Sequence, residues 1–372
     1  MEFQQPDSDL QVTRSARLWK SSGEFIGAVA AAAGLRSSST RDLFMPEASA
    51  PNSNALAPFR IEPQFVTRVW GYRDLRPWFD RVAEGDPIGE VWLTGDDCRV
   101  ATGPGAGQRL AQVFGQAGRS LVGTGAQDAC SPLLIKVLFA HEKLSVQVHP
   151  DDMLARQSGF PRGKTECWYA LSAEPGAEVA VGLKPGTTTG EVAAGIQHGT
   201  LEDYLATLTV QQGDMVFVDA GTVHAIWPGS VLLETQQYCD LTYRMYDYGR
   251  PRELHIEKSL EAMRLETRAG KITPHALFDR TVLLNSEYFR IERLPVAGTR
   301  TSASLRGDDP EPKLAYLFAA AGTGRITGAG FEAVDLPARG IIAVPATAPD
   351  FVLQDAGGLD LIRITANWPV RK

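Results

Sequence analysis

Between Lys143 and His149 polar and apolar residues alternate without a break, Lys-Leu-Ser-Val-Gln-Val-His, and this stretch constrains the fold more than any other. A period of two belongs to a β-strand, so Lys143, Ser145, Gln147 and His149 are expected on one face and Leu144, Val146 and Val148 on the other. A strand face carrying four polar groups is costly to bury unless those groups find partners. Gln147 and His149, two residues apart, stand about 7 Å from each other along such a strand and can both reach one ion. Further donors follow in two short segments, Gly163-Lys-Thr-Glu166 and Gly221-Thr-Val-His224. Taken singly, His149 before Pro-Asp-Asp reads as a strand-end cap and His224 as a turn histidine. Together the three segments point to a metal centre on the inside of a sheet. A set of His and Glu suits zinc or another borderline divalent ion.

The surroundings are those of a compact β-rich enzyme. Residues 61–186 are expected to be mainly strands, with a helix near 107–124, and Leu133-Leu-Ile-Lys-Val-Leu-Phe-Ala140 reads as a buried strand. Helices are expected over 188–209 and, behind Pro251, over 252–266. Short strands broken by Gly and Pro return from 281 to 366, which suggests a β-sandwich or jelly-roll barrel. Residues 1–58 are rich in Ser and Ala and end in Pro-Glu-Ala-Ser-Ala-Pro-Asn-Ser-Asn-Ala. They read as a disordered extension with one short helix near 24–35.

Charge and cysteine usage exclude several classes of function. A net charge of −7 argues against nucleic acid as a partner, because phosphate backbones demand a basic surface. No apolar run reaches the length of a membrane span. The four scattered cysteines form no C-x-x-C pair, so reduced thiols in a cytoplasmic protein are expected.

The pattern Gly213-x5-Asp219-x-Gly221-x2-His224 resembles the second cupin motif, with Asp219 where that motif has proline. After it comes a polar, aromatic block, Leu233-Glu-Thr-Gln-Gln-Tyr-Cys-Asp-Leu-Thr-Tyr-Arg-Met-Tyr-Asp-Tyr-Gly-Arg250, leading to His255. Arg244 in that block is suited to planar, bidentate contacts with an anionic or polyol substrate. Its bland alternative is a structural ion pair with Asp240 or Asp247. These segments, with Arg68-Val-Trp-Gly71, Gly89-Glu-Val-Trp92, Gln147-Val-His-Pro-Asp-Asp152 and Gly163-Lys-Thr-Glu-Cys-Trp-Tyr169, closely resemble the type I mannose-6-phosphate isomerases. That family consists of zinc-dependent cupin enzymes that interconvert mannose 6-phosphate and fructose 6-phosphate. The resemblance runs from about Ile61 to Ile364, and the short bacterial form is the closer match.

The resemblance implies a mainly β fold of two cupin-type jelly-roll barrels with a small helical portion. A catalytic cupin would occupy 59–270 with helical insertions. A metal-free C-terminal cupin would occupy 271–372, since Gly340-Ile-Ile-Ala-Val-Pro-Ala-Thr-Ala-Pro-Asp350 has no histidine where the first barrel has His224. It implies one zinc ion per chain, bound by Gln147, His149, Glu166 and His224. Arg244, Lys164 and Asp240 match active-site positions, and Ser145 and Glu234 stand as substrate-pocket candidates. The partner it implies is a small sugar phosphate, handled by a monomer or small homo-oligomer with no nucleic acid or membrane involved. The rivals are a related cupin isomerase for another sugar and a sugar-binding cupin without turnover. His141, His198, His255 and His275 are expected to be structural or solvent-facing, and Trp70, Trp92 and Trp168 core aromatics.

Overall fold

A computed structural model describes residues 55–126 and 129–367; the extension expected over 1–58, with its helix near 24–35, lies almost wholly outside them. The first half runs β1 (Phe59–Glu62), β2 (Gln64–Tyr72), β3 (Ile88–Trp92), β4 (Arg99–Val100), α1 (Leu110–Ala117), α2 (Arg119–Val122), β5 (Leu133–Ala140) and β6 (Val146–Val148). It continues with α3 (Asp152–Gln157), β7 (Glu166–Ala173), β8 (Glu178–Leu183), α4 (Thr189–His198), β9 (Leu205–Thr209), β10 (Met215–Val218) and β11 (His224–Ile226). Then follow β12 (Ser230–Gln237), β13 (Tyr243–Tyr246), α5 (Ile256–Ala262) and β14 (Gly270–Ile272). Between His275 and Ala366 strands dominate again, with one short helix, Ser302–Arg306.

The described residues form four antiparallel sheets stacked in layers. A seven-stranded sheet (β14-β10-β7-β12-β5-β3-β2) lies against a five-stranded one (β13-β6-β11-β8-β9) through Leu138, Trp168, Val179, Val181, Val218 and Ile226. The other face of the seven-stranded sheet, including Ile135, Val137, Phe139 and Tyr169, packs on the eight-stranded sheet through Phe289, Ile291, Tyr316 and Ile364. That eight-stranded sheet in turn covers a four-stranded one through Leu317, Ile326, Leu353 and Leu361. β1 and β4 join the eight-stranded sheet, β1 pairing with Ile341–Val344. The fold is mainly β and of cupin type, as expected.

The layering explains the sequence of β5. A strand covered on both faces reads as one apolar run rather than as an alternation, and all eight residues of β5 are buried. Lys136 is the only charge in that run.

Several local expectations are corrected. The alternation at 143–149 forms a strand only over Val146–Val148. Lys143 leaves the shared face: its ammonium pairs with Glu202 at 2.7 Å and lies over the rings of Trp227 and Tyr248. The helix expected over 107–124 is two helices, interrupted by Gly118 at φ 52°. The helix expected over 188–209 ends at His198. Thr188 and Glu191 close a capping box at its start, and Gly199 in the left-handed region stops it. Leu205–Thr209 then pairs with β8 as an edge strand. The helix expected over 252–266 is only Ile256–Ala262, because Arg244 holds the residues before it: His255 N–H donates to the Arg244 carbonyl (2.8 Å) and the Arg244 guanidinium to the Glu253 carbonyl (2.7 Å).

Candidate metal centre and the cavity it faces

Three segment ends converge between the five- and seven-stranded sheets. His149 follows β6, Glu166 opens β7 and His224 opens β11. In register, His224 stands opposite Gln147 on one side of β6 and Arg244 stands opposite Gln147 on the other. From the facing sheet, Glu166 is flanked by Gln236 and Val218.

The turn that delivers His224 is held by the residue that departs from the cupin motif. Asp219 accepts from Thr222 Oγ1 (2.9 Å) and from the Arg268 backbone N–H (3.3 Å), while Gly221 takes φ 89°. An aspartate therefore fixes this turn by hydrogen bonds instead of by a proline ring. The segment delivering Lys164 and Glu166 is fixed by Gly163. Its N–H donates to Asp152 Oδ1 (2.8 Å), and a Cβ there would lie 2.5 Å from the Asp151 carbonyl carbon. Gln237 bridges Thr165 N–H (2.9 Å) and Asp152 (3.1 Å), which sets the start of β7.

The resulting geometry is that of a buried donor set. Glu166 Oε2 lies 3.4 Å from His149 Nε2, and Glu166 Oε1 lies 3.4 Å from His224 Nε2. The three ligand atoms lie within 4.8 Å of one another, and all three residues are buried. Each imidazole donates Nδ1–H to a backbone carbonyl, His149 to Leu241 (3.2 Å) and His224 to Thr222 (2.9 Å). A carbonyl can only accept, so both rings carry the proton on Nδ1 and turn the Nε2 lone pair inward, as a metal requires. Burial, with the Lys164 ammonium beside it, pulls His149 down to about 3, and burial lowers His224 as well. Both rings are neutral at neutral pH. Burial alone would raise the Glu166 carboxyl, but the Lys164 ammonium beside it holds it well below the usual carboxylate range.

This set fits a divalent cation. Neither Glu166 oxygen accepts a well-aligned hydrogen bond although both are buried and the Lys164 ammonium stands 3.1 Å from Oε2, a costly arrangement for a carboxylate. Gln147 reaches the same place: its amide nitrogen is 3.2 Å from His224 Nε2 and its oxygen accepts from Ser145 Oγ at 3.4 Å. Lys164 caps the group, 2.9 Å from His149 Nε2 and 3.1 Å from Glu166 Oε2.

Gln147 and Lys164, beside the trio, also line a cavity of about 510 Å³. Ser145, Gln147, Lys164, Glu234, Asp240 and Arg244 all line it, so the sequence-derived candidates outside the histidine–glutamate trio come together here. Arg244 is free of the structural pair that its spacing allowed. Asp240 is taken by Lys136 (2.9 Å) and Asp247 by Arg250 and Arg252 (2.8 and 2.6 Å), while Arg244 Nε is buried without a partner. His255 is structural as expected, its Nδ1 accepting from the Arg244 N–H at 3.2 Å.

Sequence reasoning missed Lys136, Glu90, Arg68 and Arg252, which line the same cavity. Lys136 lies within 3.7 Å of Glu90 and Glu234, and over the Trp92 ring at 4.7 Å from its centroid. Trp92 is half-buried, packed against the core as well as under the Lys136 ammonium, whereas Trp70 and Trp168 are fully buried. Burial works against the Lys136 charge, yet Glu90, Asp240 and Glu234 hold its pKa above the ordinary lysine value. Burial and the Glu166 charge push Glu234 up to about 7.

Comparison with known proteins agrees with this site. Residues 59–188 match the catalytic domain of type I phosphomannose isomerase. A mannose-6-phosphate isomerase of Streptococcus mutans is 33% identical over 324 residues, 83% of this chain and 98% of that protein. The mannose-6-phosphate isomerase ManA of Bacillus subtilis is 35% identical over 268 residues, 68% of this chain and 83% of that protein. Among solved structures, mannose 6-phosphate isomerase from Bacillus subtilis superposes with a TM-score of 0.73 at 29% identity, covering 83% of this chain and 99% of that one. The chain belongs to the type I phosphomannose isomerase family.

Proposed function

We propose that the protein interconverts mannose 6-phosphate and fructose 6-phosphate by moving a proton between C1 and C2 of the sugar. The observation that carries this reading is the buried His149–Glu166–His224 trio, linked through Lys164 and Gln147 to a cavity ringed by Lys136, Lys164, Glu234, Asp240 and Arg244. His149, Glu166 and His224, with Gln147 as fourth ligand, would hold one zinc ion per chain; three His/Glu donors and one neutral donor suit that ion. A bound divalent ion supplies a Lewis acid for the oxygens on C1 and C2.

The chain's own groups divide the remaining work. Lys164, next to the trio, is placed to stabilise the negative charge that develops on an enediol oxygen. Glu234, buried and with a pKa of about 7, is matched to taking and returning a proton at neutral pH. Asp240 sits at the mouth with its side chain half exposed and holds Lys136 at 2.9 Å. Arg244, with Arg252 beside it in the same cavity wall, offers guanidinium donors to the sugar's phosphate. Ser145 steers the Gln147 amide. On this reading residues 59–270 carry the catalysis and 271–372 form a metal-free cupin. On the same reading the protein is cytoplasmic, which the unbridged thiols of Cys98, Cys167 and Cys239 suit.

A coupled assay of purified protein with mannose 6-phosphate, before and after chelation and with zinc restored, tests the reading. Turnover should vanish with the chelator and return with zinc. Unphosphorylated mannose turned over as efficiently, or no turnover in the zinc-loaded protein, would overturn it.

A further inference from the structure

We propose that Glu90 is a positioning residue for the reaction, holding the Lys136 ammonium at the wall of the sugar cavity. The inference rests on the isomerase reading of this site. Glu90 lies in β3, almost completely buried, and takes part in three interactions at once. It accepts from Arg68 through both oxygens (2.9 and 3.1 Å), accepts the Trp92 indole N–H (2.5 Å), and stands 3.7 Å from Lys136 Nζ. Trp92 and Lys136 are register partners on adjacent strands, and the indole ring carries the ammonium on its face. Glu90 therefore fixes Lys136 in two ways, by its charge and by setting the plane of the ring beneath it. The other charged groups facing the ammonium are Asp240 and Glu234, from β12 and the loop after it.

The position of the cluster argues that it is functional. Buried ion pairs stabilise a fold little more than apolar residues of similar volume, and β5 is otherwise wholly apolar. A lysine there has its use at the one surface it reaches, the cavity lined by Glu90, Lys136 and the residues beside the metal centre. The backbone accommodates the arrangement: a Cβ on Gly89 would lie 2.6 Å from Arg68 Cβ and 2.7 Å from Trp70 Cζ3, so glycine lets both side chains fold across the strand.

The test is a kinetic cycle on the zinc-loaded full chain, with Glu90→Gln, Glu90→Asp, Lys136→Met and the double variant E90Q/K136M assayed on mannose 6-phosphate. Misplacing a catalytic group by an ångström costs about a hundred-fold, so Glu90→Gln should lower kcat at least about ten-fold while KM changes less than about two-fold. Glu90→Asp, which keeps the charge, should recover part of that loss. In the K136M background Glu90→Gln should cause no further fall in kcat, because a residue acting through Lys136 has nothing left to position. Unchanged kcat in Glu90→Gln, or a full and independent fall in the K136M background, would overturn the inference. A wild-type enzyme inert toward mannose 6-phosphate would instead remove the isomerase reading, so the two failures are distinguishable.

Discussion

Replacing Lys136 by methionine keeps the apolar stem and removes the ammonium, and the stability change that follows can be worked from the distances. At an effective dielectric constant of about 20, the pair with Asp240 at 2.9 Å is worth about 6 kcal/mol and each pair at 3.7 Å about 4.5 kcal/mol. These gross attractions are largely offset by the desolvation of a buried lysine. Asp240 is half exposed and would be solvated in the variant, and Glu90 keeps Arg68. The unfavourable charge therefore concentrates on Glu234, and breaking a buried pair of this kind costs about 3–5 kcal/mol. The sign of its pH dependence follows from the raised Glu234 pKa, about 7 against an ordinary 4.5, which loss of Lys136 raises further. A carboxyl raised in the folded state contributes stability that is complete below its unfolded value and is lost as pH climbs through its folded value. Lys136→Met should thus be only mildly destabilised near pH 5, where folded Glu234 is protonated, and should show the whole loss near pH 8. Adding Glu90→Gln should return part of the stability by removing another carboxylate. Urea denaturation of chelator-treated protein at the two pH values reads this directly. A loss equal at both pH values, or under about 1 kcal/mol at pH 8, would refute the reasoning.

Metal content should separate the ligands. His224→Ala and Glu166→Gln should lose stoichiometric zinc on gel filtration, and Gln147→Ala should retain more than either, since its amide brings no charge; equal retention in all three would remove the trio as the main ligand set. Gly163→Ala forces a Cβ to within 2.7 Å of the Asp152 nitrogen and the Pro150 oxygen. It should lose about 1–3 kcal/mol of stability and weaken metal binding by shifting Glu166; an unchanged melting temperature would show that the segment yields freely. Arg244→Ala should lower kcat/KM by about a hundred-fold or more while zinc content stays at the wild-type level, and full turnover in that variant would take the arginine out of the site.

The site was more legible in the sequence than the elements that hold it. His149, Glu166 and His224 declare themselves by residue type in three short segments, because metal ligation needs few side-chain chemistries. Strand and helix ends depend on interactions that no periodicity encodes. The alternation at 143–149 continues through Lys143 on paper, but a nearby carboxylate and two rings draw that side chain elsewhere. The segment 188–209 keeps its helical polarity past the point where Gly199 stops the helix, and the free edge of β8 takes up the remainder. Asp219 is the opposite case, a residue standing where the motif has proline. The structure supplies its replacement in Thr222 and Arg268.

Lys136 marks where pattern reading stops. An apolar run with one charge in it reads as a buried strand, and that reading is right as far as it goes. What it omits is that positions on a doubly covered sheet exclude charge so strongly that a single lysine among eight buried residues is itself a signal. The two faces of β5 differ only once the layers are assembled. Ile135, Val137 and Phe139 meet the second half of the chain, while Lys136 turns toward the space beside the metal centre. Glu90 and Trp92 lie across from it on β3 and face the same way. A charge inside a continuous apolar strand is therefore best read as pointing at a cavity, and its partners are to be sought at alternate positions on the neighbouring strands. Here that rule leads from Lys136 to Glu90 on one side and to Glu234 on the other, the two carboxylates that frame it in the cavity wall.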